Sequence, residues 1–252
     1  MAHVILTGCT GTAGSAVLAR CIASSTISKV TILSRRPVKQ ASGVDKVNVI
    51  IHNDFTSYPD DLLQQLKGAV GCVWALGTPA GQVTADKYKM ITLDYPLAAA
   101  LAFASLGPAF NFVYISGEGA TRSPGRFTAL FARTKGLAEA SLLDLIPTHP
   151  SLRIFNVRPA FIDDTGAQLK EGKKSFSYAL MDKMAPALRL AWPNGVSPTG
   201  KLAEVLVRCV ENQGTNTEIR ENFEGRGVTW EGQGQAIGLL IENTGVRRLA
   251  GL

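Results

Sequence analysis

Over residues 1–160 the chain alternates short apolar runs with stretches whose apolar positions recur at helical spacing. Val4-Ile5-Leu6, Val30 to Leu33, Val47 to Ile51, Ala69 to Ala75, Asn111 to Ile115 and Leu152 to Val157 are continuous or β-branched runs, as buried strands require. Between them, Val17, Leu18, Cys21 and Ile22 mark one face of a helix from about Thr12 to Ala23, and Leu62, Leu63 and Leu66 a short one. A long Ala- and Leu-rich helix spans Thr84 to Leu106. Its Pro96 predicts a kink or break, because proline has no N–H for the helical ladder. A further helix runs from about Phe127 to Leu145.

After Asp163 the rhythm changes. Phe176 to Trp192 is amphipathic, Pro198 to Val210 reads as a helix, and residues 213–227 are rich in Gly and polar groups. The stretch from Val228 onward carries little pattern. Strand–helix alternation of this kind predicts an α/β fold: a Rossmann-type, doubly wound parallel sheet with a small C-terminal lobe.

The 46% hydrophobic and 18% charged composition fits one globular domain over 1–252. Apolar stretches are interrupted well before the roughly 18 residues that a membrane span needs. The opening MAHVILTGCTG enters a strand directly, without the basic and apolar regions of a signal peptide. These features predict a cytoplasmic protein that does not engage a membrane. Four dispersed cysteines lack metal-ligand spacing, so they are expected as buried thiols, and no metal site is expected. The formal charge of +6 is scattered and not interleaved with aromatics, which argues against nucleic acid and suits a small anionic ligand.

The turn after the first run reads Thr7-Gly8-Cys9-Thr10-Gly11-Thr12-Ala13-Gly14. Three glycines spaced by three, between a strand and a helix, allow a tight turn and let a pyrophosphate approach bare backbone. The helix N-terminus then supplies free N–H groups to the phosphates. The second strand ends in Ser34-Arg35-Arg36 rather than in an acid. An arginine pair suits a ribose 2′-phosphate, favouring NADP(H) over NAD(H). Asp54-Phe55 and Ala75-Leu76-Gly77, after the third and fourth strands, fit the adenosine side of the same site.

From VILTGCTGTAGSAVL through LSRRP, NDF, ALGT, FVYISGEGA, ARTKGLAEASLL and RIFNVRPAFI, the sequence resembles the short-chain dehydrogenase/reductase superfamily, in its atypical, epimerase- and dehydratase-like branch. The resemblance implies that Lys135 holds the nicotinamide ribose and that Ser116 polarises a substrate carbonyl. It also implies that Pro159, Phe161 and Ile162 border the carboxamide. The catalytic tyrosine of the family, four residues before the lysine, is here Phe131. A phenyl ring has no proton to give. Phe131 and Lys135 still fall on one helix face.

Tyr114, Glu118, Arg133, Asp163, Asp164 and Tyr178 are other polar groups expected near the pocket mouth. His3, His52 and His149 lack a partner acid or nucleophile. Residues 163–197, with Phe176, Tyr178, Leu180, Met181, Met184, Leu188 and Trp192, are expected to cover a small-molecule substrate. The resemblance implies an NADP(H)-dependent oxidoreductase acting on an apolar carbonyl or conjugated substrate. The missing tyrosine leaves two alternatives, a non-redox isomerase or cyclase and an NAD(P)-sensing regulator. The pattern does not choose between a monomer and a dimer.

Overall fold

The computed structural model of the chain describes residues 1–163, 195–231 and 237–252. Its strands are β1 (Ala2–Thr7), β2 (Ile27–Ser34), β3 (Val47–Ile51), β4 (Gly71–Trp74), β5 (Phe110–Ile115), β6 (Leu152–Val157), β7 (Phe161–Ile162), β8 (Val196–Ser197), β9 (Val228–Trp230) and β10 (Gly238–Ile241). All but β7 and β8, which pair with each other, lie in one sheet of order β3-β2-β1-β4-β5-β6-β10-β9. Every pair in that sheet is parallel except β10–β9. The chain runs outward from β1 to β3, then returns and runs outward the other way from β4. That leaves a crevice at the carboxyl ends of β1 and β4, where open α/β sheets bind ligands.

The helices are α1 (Thr12–Ala23), α2 (Asp60–Leu66), α3 (Ala85–Lys89), α4 (Tyr95–Phe103), α5 (Leu130–Leu143), α6 (Thr199–Glu211), α7 (Asn216–Phe223) and α8 (Asn243–Leu249). Alternation along the strands divides the core between the two faces of the sheet. Val4 and Leu6 pack with α1 and α6 on one face, while Ile5 joins Trp74, Phe103, Phe112 and Leu142 on the other. All four cysteines are buried free thiols.

The expected break at Pro96 is present, and its geometry is specific. Between α3 and α4, residues Met90–Asp94 form a π turn in which the Tyr95 N–H reaches back to the Met90 carbonyl. Pro96 has no N–H to offer the Thr92 carbonyl four residues earlier. That carbonyl instead accepts the Tyr114 hydroxyl of β5 at 3.0 Å.

The C-terminal part holds more order than its composition suggests. Residues 213–227 contain α7, started by a capping box. The Thr215 hydroxyl accepts the Glu218 N–H at 3.3 Å, and the Glu218 carboxylate accepts the Thr215 N–H at 2.5 Å. Phe223 then packs edge-on against Phe155, 5.7 Å between centroids. The Thr-x-x-Glu spacing was the signal for this helix. Of the segment expected to cover a substrate, 164–194 lies outside the described residues, including Asp164, Tyr178 and the apolar series from Phe176 to Trp192. No helix among the described residues is long and apolar enough to cross a membrane.

Candidate functional site

The turn between β1 and α1 is built by two glycines and left open by a third. Gly8 has φ +68°, a backbone conformation that favours glycine, and a Cβ there would overlap the Ala75 carbonyl at the end of β4. A Cβ on Gly14 would overlap the Gly8 carbonyl, so α1 sits directly on the turn. Gly11 differs. It is exposed, its added Cβ would meet only the Gly8 carbonyl at 3.3 Å, and it is the N-cap of α1 with no side chain to cap the helix. The N-cap of α1 thus places no side chain of its own over the start of the helix.

Two cavities meet at Gly11. The first, about 430 Å³, is lined by Gly8, Thr10, Gly11, Leu33 to Arg36 and Ala75 to Gly77. The second, about 550 Å³, shares Gly11 and Ala75 to Gly77, and adds Thr12, Ala13, Tyr88, Thr92, Tyr114, Phe131, Lys135 and Ile162 among its walls. Together they make one cleft across the crevice between β1 and β4, with the α1 N-terminus at its middle. The Thr7 hydroxyl accepts the Leu76 N–H at 3.2 Å and ties the ends of those two strands together. Arg35 and Arg36 are exposed at the far end of the first cavity.

Lys135 on α5 reaches across to the end of β5. Its ammonium donates to the Ser116 carbonyl at 2.5 Å and the Ile115 carbonyl at 3.2 Å. Burial pulls its pKa down to about 8, and the Glu139 carboxylate one helical turn on acts to raise it. The sign of the resulting pH effect is definite. Between about pH 8 and 10.5 the unfolded chain holds a proton on this lysine that the folded chain has lost. Stability contributed through Lys135 therefore rises with pH across that window. Urea unfolding at pH 7.5 and pH 10 is expected to show this rise as a difference between the wild type and Lys135→Met. Equal pH dependence in the two proteins would overturn it.

Phe131, one turn before Lys135, is 40% exposed and lines the same cavity. Its ring lies over Gly119, where a Cβ would meet Phe131 Cζ at 3.7 Å. The helix spacing read in the sequence thus brings Phe131 and Lys135 together. Ser116 contributes its carbonyl. Its side chain is buried, its hydroxyl has no partner among the described residues, and it lines neither cavity.

Other expected site residues lie off the cleft. Asp54 is exposed and binds its own turn, accepting from the Thr56 N–H at 2.9 Å and the Thr56 hydroxyl at 2.5 Å. These bonds hold its carboxyl below the usual range. Phe55 is fully buried, edge-on to Trp74 at 5.9 Å. Pro159 is buried, with its carbonyl accepting the Glu118 N–H at 2.9 Å. Phe161 belongs to β7 and lines neither cavity, while its neighbour Ile162 does. Arg133 is spent on the preceding loop, donating to the Thr128 carbonyl at 2.8 Å. Asp163 is buried and accepts the Thr199 N–H at 3.4 Å at the start of α6.

Below the cleft, Glu139 is fully buried and accepts both arms of Arg158, at 2.8 and 2.6 Å. This fork ties α5 to the end of β6 and so fixes the helix that carries Phe131 and Lys135. Tyr88 and Thr92 were not singled out by sequence. Their place in the cavity wall depends on how α3 and the π turn pack, which no local pattern encodes.

No family model matches the chain. Among curated proteins, the Botcinic acid biosynthesis cluster B protein 16 of Botryotinia fuckeliana is 38% identical over 148 residues, covering 57% of this chain and 88% of that protein. The Leucinostatins biosynthesis cluster protein T of Purpureocillium lilacinum is 49% identical over 117 residues, 46% of this chain, and the match spans only 43% of that protein's length. Among solved structures, an oxidoreductase of the short chain dehydrogenase/reductase family from Burkholderia thailandensis superposes with a TM-score of 0.63 at 13% identity, covering 96% of this chain and 91% of that one.

Proposed function

We propose that this chain, which belongs to the family of the Botryotinia botcinic acid cluster protein and has the short-chain dehydrogenase/reductase fold, is an NADP(H)-dependent oxidoreductase acting on a small or medium apolar carbonyl or conjugated substrate. One observation carries this reading. A single cleft runs from an arginine pair, over a helix N-terminus that begins at a glycine turn, to an apolar cavity that holds Lys135. Its parts match the parts of a dinucleotide phosphate in order along the cleft.

When bound, the nicotinamide would supply the hydride chemistry, and the chain would orient, enclose and charge-balance the reactants. Gly11 leaves room for the pyrophosphate beside the Thr12 and Ala13 backbone. Arg35 and Arg36 suit the 2′-phosphate through forked donors. Lys135, anchored on the Ile115 and Ser116 carbonyls at the end of β5, offers its remaining N–H to a ribose hydroxyl. Phe131, Ile162, Leu76 and Pro79 give the cavity an apolar wall. Both relatives are biosynthesis cluster proteins by name, which supports a small organic substrate.

The deciding measurement is a fluorescence titration with each reduced cofactor. NADPH is expected to bind at least about tenfold tighter than NADH, a difference of roughly 1.4 kcal/mol, and the double variant Arg35→Ala/Arg36→Ala should bring the two together. Equal wild-type affinities, or a preference for NADH, would remove the NADP(H) assignment.

Phe131 supports a second reading, in which the dinucleotide is a fixed element and the chain catalyses an isomerisation or cyclisation. Product and substrate would then have equal mass, and NADPH would not be consumed.

A further inference from the structure

The reductase reading leaves a proton unaccounted for. Reducing a carbonyl needs one at oxygen, and Phe131 cannot supply it. Among the residues that line the cavity holding Lys135 are two tyrosines, Tyr88 and Tyr114, and the threonines Thr12, Thr78 and Thr92. Threonine hydroxyls are far too weakly acidic to serve.

The π turn separates the two phenols. Pro96 leaves the Thr92 carbonyl without its helical donor, and the Tyr114 hydroxyl donates to that carbonyl at 3.0 Å. The Tyr114 proton is therefore committed to backbone. Tyr88 stands one turn before Thr92, and the π turn packs against α5, the helix of Phe131 and Lys135. We propose that Tyr88 is the proton donor of this site, taking from α3 the part that Phe131 on α5 cannot play.

This assignment rests on the reductase reading above. In the step, a substrate carbonyl carbon gains a C–H bond from the hydride of the reduced nicotinamide dinucleotide, and the C=O π pair moves to oxygen. That oxygen takes the proton of Tyr88 as the phenol O–H bond breaks, and the phenolate is reprotonated by water. Burial raises the Tyr88 pKa, while a hydrogen bond with the Thr92 side chain works in the opposite direction. Burial raises the Tyr114 phenol well above its ordinary value. A π turn at such a point is a frequent feature of functional sites.

The test compares wild type, Tyr88→Phe and the double variant Tyr88→Phe/Phe131→Tyr. The probes are NADPH and 9,10-phenanthrenequinone, an apolar dicarbonyl. Tyr88→Phe removes one oxygen from a ring that is 2% exposed, so the fold should persist by circular dichroism. NADPH affinity should stay within about twofold, and kcat should fall by about 100-fold, within the usual range for a general acid. The double variant should recover part of the rate through the restored phenol.

A second readout is independent of turnover. With 13Cζ-labelled tyrosine the chain gives five signals, and the one lost in Tyr88→Phe identifies Tyr88. That signal should shift when the quinone is added to protein saturated with NADP+, while the signal of Tyr114 should not. Wild-type kcat in Tyr88→Phe, or a Tyr88 signal that does not move, overturns the proposal and leaves the reductase reading standing. A wild-type protein that binds NADPH but reduces no carbonyl overturns the reductase reading and the Tyr88 assignment together.

Discussion

Gly11→Val is expected to weaken NADPH binding by at least about 100-fold, or roughly 2.7 kcal/mol, in a chain that remains folded. The three glycines of the turn do different work. At Gly8 and Gly14 an added Cβ strikes backbone, the Ala75 and Gly8 carbonyls respectively, so substitution there disrupts the junction of β1, α1 and β4 itself. At Gly11 the nearest atom is 3.3 Å from the added Cβ, and the residue is exposed where the two cavities meet. Two methyl groups at this point fill space that the pyrophosphate needs. Replacing glycine at a helix N-cap with an apolar residue costs about 1 kcal/mol, which a domain stable by about 5–15 kcal/mol survives. Fluorescence titration beside circular dichroism would separate binding from folding. A folded Gly11→Val that binds NADPH like the wild type would mean that the turn does not hold the phosphates. Gly14→Val is expected to lose both fold and binding, which makes it the weaker test.

Glu139→Ala should destabilise the chain by about 3–5 kcal/mol, the usual result of removing one member of a buried ion pair. Glu139 has no exposed side-chain surface and Arg158 only 15%, so the guanidinium left behind cannot recover its hydration without moving β6 or α5. Arg122, 3.8 Å from Glu139 and paired with Glu231 at 2.5 Å, extends the network but is more exposed. Glu139→Gln keeps the shape and one acceptor, and should lose less. Urea unfolding at constant m-value gives the answer. A loss below about 1 kcal/mol in Glu139→Ala would show that the fork adds little and that α5 is held by packing alone. Because Glu139 also favours the charged form of Lys135, its removal should lower the lysine pKa further, coupling a stability change to the cleft.

The strands, the first helices and the glycine turn were legible because they depend on local physics. Apolar runs of strand length, helical spacing in Val17 to Ile22, and a glycine that must take positive φ are all written in a few adjacent residues. The break at Pro96 was legible for the same reason, since a missing N–H belongs to the residue itself. So was the shared face of Phe131 and Lys135, which needs only the helix period. The helix α7 was equally local, carried by Thr215 and Glu218, but its polar composition hid the capping pattern.

What tertiary structure alone decided was which polar groups face the cleft. Asp54 and Phe55 follow a strand as the dinucleotide pattern expects, yet Thr56 captures the carboxylate locally and the aromatic cluster with Trp74 and Tyr95 buries the ring. Tyr88 lines the cavity only because α3 and a π turn pack against α5, and the Tyr114 hydroxyl is bonded to backbone only because Pro96 frees a carbonyl for it. Backbone periodicity is fixed by neighbours in the chain. The orientation of a side chain in a cavity is fixed by atoms that folding brings from distant elements, and competition among those atoms for hydrogen bonds and burial has no signature along the sequence.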